Sequence, residues 1–124
     1  MRRSKQSVTT KRLAVAEAAM TLLTRSINLL RKSGWVVEIV EKWNAHAKVR
    51  KDLFGMFDLV AIRDGVTMGV QVTSYSNIAA RVSKIKTNPV LRHLLDAGWV
   101  VCVHGWKKDK GKWTCAVRNI GGEE

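Results

Sequence analysis

The stretch Met56–Thr73 constrains the fold more than any other part of the chain. Met56–Ile62 and Thr67–Thr73 are rich in apolar and β-branched residues, and Arg63-Asp64-Gly65 between them is a turn signal, so the two read as a β-hairpin. Inside the first strand, Asp58 stands between Phe57 and Leu59. A carboxylate in a buried strand is costly unless it is paired, hydrogen-bonded or holding a metal. On the second strand side chains alternate, so Gln71 and Thr73 share one face while Val70 and Val72 share the other. The short connection brings Asp58 and Gln71 together, and a polar cluster is expected on an otherwise apolar sheet.

Helical and strand periods alternate around this hairpin. Ala16, Met20, Leu23, Ile27 and Leu30 recur at helical spacing, which predicts a helix from Lys11 to Lys32, capped by Thr9 or Thr10 and closed by Gly34. Trp35–Trp43 reads as a strand, and Asn44–Gly55 as a loop carrying Lys48, Arg50 and Lys51. After the hairpin come a helix over Asn77–Lys86, a shorter one over Val90–Ala97 behind Pro89, and two strands, Trp99–Trp106 and Trp113–Ile120, around Lys108-Asp109-Lys110-Gly111. The expected fold is α/β, in the order α-β-β-β-α-α-β-β, with a mixed central sheet of about five strands flanked by helices. Residues 1–12 hold five cations and no acid and suit a basic arm; 13–120 form one domain, and 121–124 a tail.

Charge narrows the function. The 124 residues include 22 Lys+Arg against 10 Asp+Glu, a net charge of +12. Such a field concentrates polyanions, and nucleic acid is the expected partner. No apolar stretch is long enough to span a bilayer, and no helix pairs a basic side with an apolar one, so a membrane partner is not expected. Arg2, Arg3 and Lys5 are not followed closely by an apolar run, which differs from a secretory signal. A cytoplasmic, reducing compartment is expected, with Cys102 and Cys115 as thiols. The absence of a Gly-rich phosphate loop and of a G-x-S-x-G elbow argues against nucleotide hydrolases and esterases.

The order helix, three strands, helix, strand, with an acid on the second strand and a polar-x-polar pair on the third, resembles the PD-(D/E)XK nuclease superfamily. The residues that carry the likeness are Glu41-Lys42-Trp43-Asn44, Arg50 to Leu59, Gly69-Val70-Gln71-Val72-Thr73-Ser74 and Asn77 to Val82. They are similar to small phage-type members related to Holliday-junction resolvases. The likeness covers residues 12–106 in outline and Glu41 to Lys84 in its specific part. It implies a restriction-endonuclease-like core and a metal-dependent endodeoxyribonuclease using Mg²⁺, with Mn²⁺ as a substitute. It also implies branched DNA as substrate, and a homodimer that cuts two strands symmetrically.

Carried onto this chain, the likeness makes Asp58 the conserved aspartate. Gln71 stands where the family has Asp or Glu, and Thr73 where it has Lys. Glu17 matches an extra acid on the first helix, with Glu41 competing for that role. Lys84 is the first candidate to replace the missing lysine, with Lys42 or Lys51 behind it. Phosphate contacts are expected from Lys42, Arg50, Lys51, Arg81 and Lys84. The two replaced residues leave a second reading open, a catalytically inactive nucleic-acid-binding module on the same fold.

Plainer readings stand beside these. Glu17 is a solvated helix residue more often than a ligand, Asp52 reads as a loop acid paired with Arg50 or Lys51, and Arg81 and Lys84 as a solvated face. Trp35, Trp99 and Trp113 are expected in or over the core. Trp43 and Trp106 flank basic loops where either could stack on an unpaired base, but packing is the expectation for both. Cys102 and His104 share a strand face, with Cys115 expected opposite Cys102, and buried thiols are preferred there to a zinc site.

Overall fold

The computed structural model describes residues 20–121. Glu17 and the basic arm at 1–12 lie outside the described residues. Helix α1 spans Leu22–Lys32. Thr21 caps it with an extended backbone, its hydroxyl accepting from the Thr24 amide at 3.1 Å. The helix expected to run unbroken from Lys11 therefore has a start at Leu22. Met20, placed on the apolar stripe by its spacing, precedes that cap. Arg31 and Lys32 occupy the last turn, where cations suit the helix dipole.

Strands β1 (Val36–Ile39), β4 (Leu59–Arg63), β5 (Val66–Ser74), β6 (Val100–Asp109) and β7 (Lys112–Ile120) form one sheet in the order β1-β4-β5-β6-β7. All its neighbours are antiparallel except β5 and β6, which run parallel with Val70 opposite Cys102. That parallel step requires a crossover, supplied by a 3₁₀ turn at Tyr75–Asn77, α2 (Ile78–Lys86) and α3 (Val90–Asp96). The fold is thus the expected α/β type, with a mixed five-stranded central sheet flanked by helices. The β4–β5 hairpin turns on Asp64-Gly65 at φ 49° and 79°, and the β6–β7 hairpin on Lys110-Gly111 at the same two values. Positive φ at both central residues is the hairpin geometry that matches strand twist.

One expected element divides. The strand expected over Trp35–Trp43 ends at Ile39, and the chain leaves the sheet through Val40 and Glu41. It then pairs with itself as β2 (Lys42–Asn44) and β3 (Val49–Lys51), with Trp43 opposite Arg50. The Asn44–Gly55 loop is therefore largely a second hairpin. Every residue from Lys42 to Lys51 is exposed, so no alternation of apolar and polar residues marks it in the sequence.

Two cores clamp the sheet. α1 packs Ile27 and Leu30 on Val37, Leu59, Ala61, Met68, Val70 and Cys102. On the other face α2 and α3 press Ile78, Ile85 and Leu94 against Val101, Val103 and Ile120, together with Phe57. Val70 therefore faces α1, as alternation requires. A Cβ at Gly69 would lie 2.6 Å from the Phe57 ring, so glycine is what lets that ring lie flat on β5. Trp99 stacks on its far side at 6.0 Å. This packing anchors the segment immediately before Asp58.

Candidate active site

Asp58 lies in a bend just before β4 and not within the strand as expected. Its backbone is nonetheless held on both sides, its amide donating to the Val70 carbonyl and its carbonyl accepting from the Val40 amide, both at 2.9 Å. With Phe57 buried on one face and Leu59 on the other, the bend leaves Asp58 at the N-terminal end of β4, an interior strand of the sheet. Its Oδ2 accepts from Gln71 Nε2 at 2.7 Å and from the Val72 amide at 2.8 Å. The expected meeting of Asp58 and Gln71 is thus present, both residues being buried.

Two further carboxylates join them. Glu41 directly precedes β2 and Asp52 directly follows β3, so the two feet of the β2–β3 hairpin each present an acid to Asp58. One ligand atom from each of Glu41, Asp52 and Asp58 lies within 4.8 Å of the others. Burial pushes the Asp58 carboxyl from its usual 3.8 up to about 7. The Asp52 charge adds to the rise, and so does a hydrogen bond to Glu41 that only the protonated acid can give, while the Val72 amide opposes it. Glu41 is steadied from outside by Arg50, Nη1 to Oε1 at 2.8 Å.

These groups line a cleft of about 300 Å³ closed by Leu22 and Leu23 of α1, Gln71 and Val72 of β5 and Arg81 of α2. No family model, curated protein or solved structure matches the chain.

Asp58, Gln71 and Glu41 come together as expected, and Arg81 with them. Thr73 is buried on β5 but does not line the cleft. Lys84 lies three residues beyond Arg81, exposed, and is also absent from its walls, so among the described residues the cation that lines the cleft is Arg81. Arg50, expected to contact phosphate, is engaged by Glu41. Lys42 and Lys51 sit opposite each other at the base of the hairpin, both exposed. Asp52 was expected to pair with a neighbouring cation and instead joins the cluster. The signal for it was its place one residue beyond the Arg50-Lys51 foot of an unrecognised hairpin.

A second polar group is buried beside the α1 core. Ser26 Oγ lies 2.9 Å from His104 Nδ1 and accepts from Trp106 Nε1 at 2.8 Å. Burial lowers His104 from its usual 6.5 to about 4, so the ring is neutral at pH 7. Trp106 therefore packs, as expected, whereas Trp43 does not: the residue is 58% exposed. Cys115 stands opposite Trp106 and Cys102 opposite Asn119, not opposite each other. Both cysteines are free, and burial raises both thiols well above their usual range.

Proposed function

We propose that this chain is a divalent-metal-dependent endodeoxyribonuclease of the PD-(D/E)XK kind, that the Asp58 cleft is its active site, and that branched DNA is among its substrates. The observation that carries the reading is the convergence of Glu41, Asp52 and Asp58 in one cleft of a chain whose net charge is +12. A basic surface draws in DNA, whereas clustered carboxylates repel phosphate and one another unless a cation lies between them.

The donor set fits Mg²⁺ or Mn²⁺. Both ions prefer oxygen ligands, and the cleft offers three carboxylates and the Gln71 amide oxygen, whose nitrogen is taken by Asp58. An ion bound there supplies the charge that polarises a phosphate and acidifies water. The protein's own share is positional. Gln71 and the Val72 amide fix the Asp58 carboxylate, Arg50 fixes Glu41, and the Phe57–Trp99 stack holds the bend in place. Arg81, permanently charged and able to grip two phosphate oxygens, takes the part that lysine plays in the family. Such an enzyme would work in the cytoplasm of a bacterial or phage-infected cell, as a homodimer where two strands are cut symmetrically. Among the described residues no helix is long and apolar enough to cross a membrane.

A binding module without catalysis is the second reading, favoured by one observation: Gln71 and Thr73 stand where an acid and a lysine are expected. Labelled linear, flap and four-way-junction DNA, each incubated with Mg²⁺, Mn²⁺ or EDTA, separates the two. Cutting in metal but not in EDTA supports the nuclease. Retarded but uncut DNA in every metal supports the binder.

A further inference from the structure

The β2–β3 hairpin is more than a carrier of two acids. Its ten residues, 42–51, contain Lys42, Lys48, Arg50 and Lys51 and no acid. Side chains alternate along a strand, so Trp43 lies on the same face as Glu41, and Arg50 on the same face as Asp52. The Arg50–Glu41 ion pair at 2.8 Å runs diagonally across that face and fixes its orientation, because Arg50 is the residue paired with Trp43. Trp43 therefore stands two residues out from Glu41, about 6.6 Å along the strand, on the side that faces the cleft. That is about two nucleotides at the ~3.4 Å rise of a stacked strand. Trp43 is 58% exposed among these cations, so its indole is open to a partner that offers a flat apolar face. Trp106, Trp99, Trp35 and Trp113 have partners in the fold: Ser26, Phe57, Arg63 and Arg25.

We infer that Trp43 stacks on an unpaired DNA base next to the phosphate held in the cleft. The preferred substrate is then DNA with an unpaired base beside a duplex, such as a flap, and not continuous duplex. A base inside a duplex already has both faces covered, whereas an unpaired base offers one to an aromatic ring. Lys42 and Lys51, on the opposite face of the hairpin, add to its positive field. The inference rests on the nuclease reading of the cleft and specifies its substrate.

The test measures binding in EDTA, so that cutting plays no part. A flap carrying 2-aminopurine at the first unpaired position is compared with the matched duplex, using the full chain as wild type, Trp43→Phe and Trp43→Ala. Wild type is expected to quench the 2-aminopurine and to bind the flap roughly 5- to 150-fold more tightly than the duplex. Trp43→Ala should lose the quenching and most of the preference with its melting temperature unchanged, and Trp43→Phe should keep part of both. A flap preference that survives in Trp43→Ala overturns the inference, as does tighter binding to the RNA version of the flap. Equal wild-type binding to flap and duplex, together with metal-dependent cutting of duplex, overturns this inference and leaves the nuclease reading standing. No binding to any of these DNAs in EDTA, together with no cutting of them in Mg²⁺ or Mn²⁺, overturns both.

Discussion

Gln71 donates its side-chain amide to Asp58 Oδ2 at 2.7 Å, at the position where an acid would add a fourth negative charge to the cleft. The glutamine relieves crowding among Glu41, Asp52 and Asp58 and gives up one charged ligand in return. Gln71→Glu should therefore bind Mn²⁺ more tightly, by roughly tenfold. The metal-free variant should lose about 1–3 kcal/mol, because a donor to a buried carboxylate becomes a like charge. Calorimetric Mn²⁺ titration and urea unfolding in EDTA read the two effects, and an unchanged Mn²⁺ affinity would count against Gln71 as a ligand.

Asp58 and His104 pull stability in opposite directions with pH. Asp58 has a folded pKa raised to about 7, so the native state takes up a proton between pH 3.8 and 7, and this contribution is lost as pH rises. His104 has a folded pKa lowered to about 4, so the unfolded state takes up the proton between pH 6.5 and 4, and its contribution is lost as pH falls. Wild-type stability without metal should thus change little between pH 8 and 5. Asp58→Asn removes the first effect. It should be more stable than wild type at pH 8 and lose roughly 2 kcal/mol on going to pH 5. A flat profile for Asp58→Asn would contradict the neutral, buried assignment of His104.

Arg81 and Lys84 occupy the same helix, yet only Arg81 lines the cleft. Arg81→Ala should reduce the cleavage rate by about 100-fold or more, as the loss of a charged group acting on the transition state does. Lys84→Ala should leave the rate within a few-fold and lower only the salt dependence of binding, by about one phosphate contact. Single-turnover rates with saturating protein distinguish the two effects. Equal losses for the two variants would remove Arg81 from the site.

The sheet was legible because its strands obey simple patterns. Turn residues at Asp64-Gly65 and Lys110-Gly111 and alternating Val70, Gln71, Val72 and Thr73 announce two hairpins and their faces. Asp58 was legible as a carboxylate in apolar company, and its partner Gln71 followed from the hairpin register. The β2–β3 hairpin was not, because residues 42–51 bury nothing and so leave no periodic signature. Missing it also concealed Asp52, whose role depends on the strand that precedes it. Lys84 was the candidate because the residue missing from the likeness is a lysine, whereas the rotation of α2 is set by Ile78 and Ile85 packing on β6, a tertiary fact. Ile78 fits there because β6 has Gly105 beneath it, where any Cβ would collide with its side chain.

The central claim is that Asp58 organises metal-dependent cutting, and the most direct test is single-turnover cleavage by wild type and Asp58→Asn in Mn²⁺. The variant keeps an oxygen that can accept from Gln71 and the Val72 amide, so it should remain folded. It should bind DNA as tightly as wild type or more so, since a negative charge beside the phosphate is gone. Its cutting should fall by at least about 100-fold. Cleavage by Asp58→Asn at the wild-type rate would contradict the account and move the active site elsewhere.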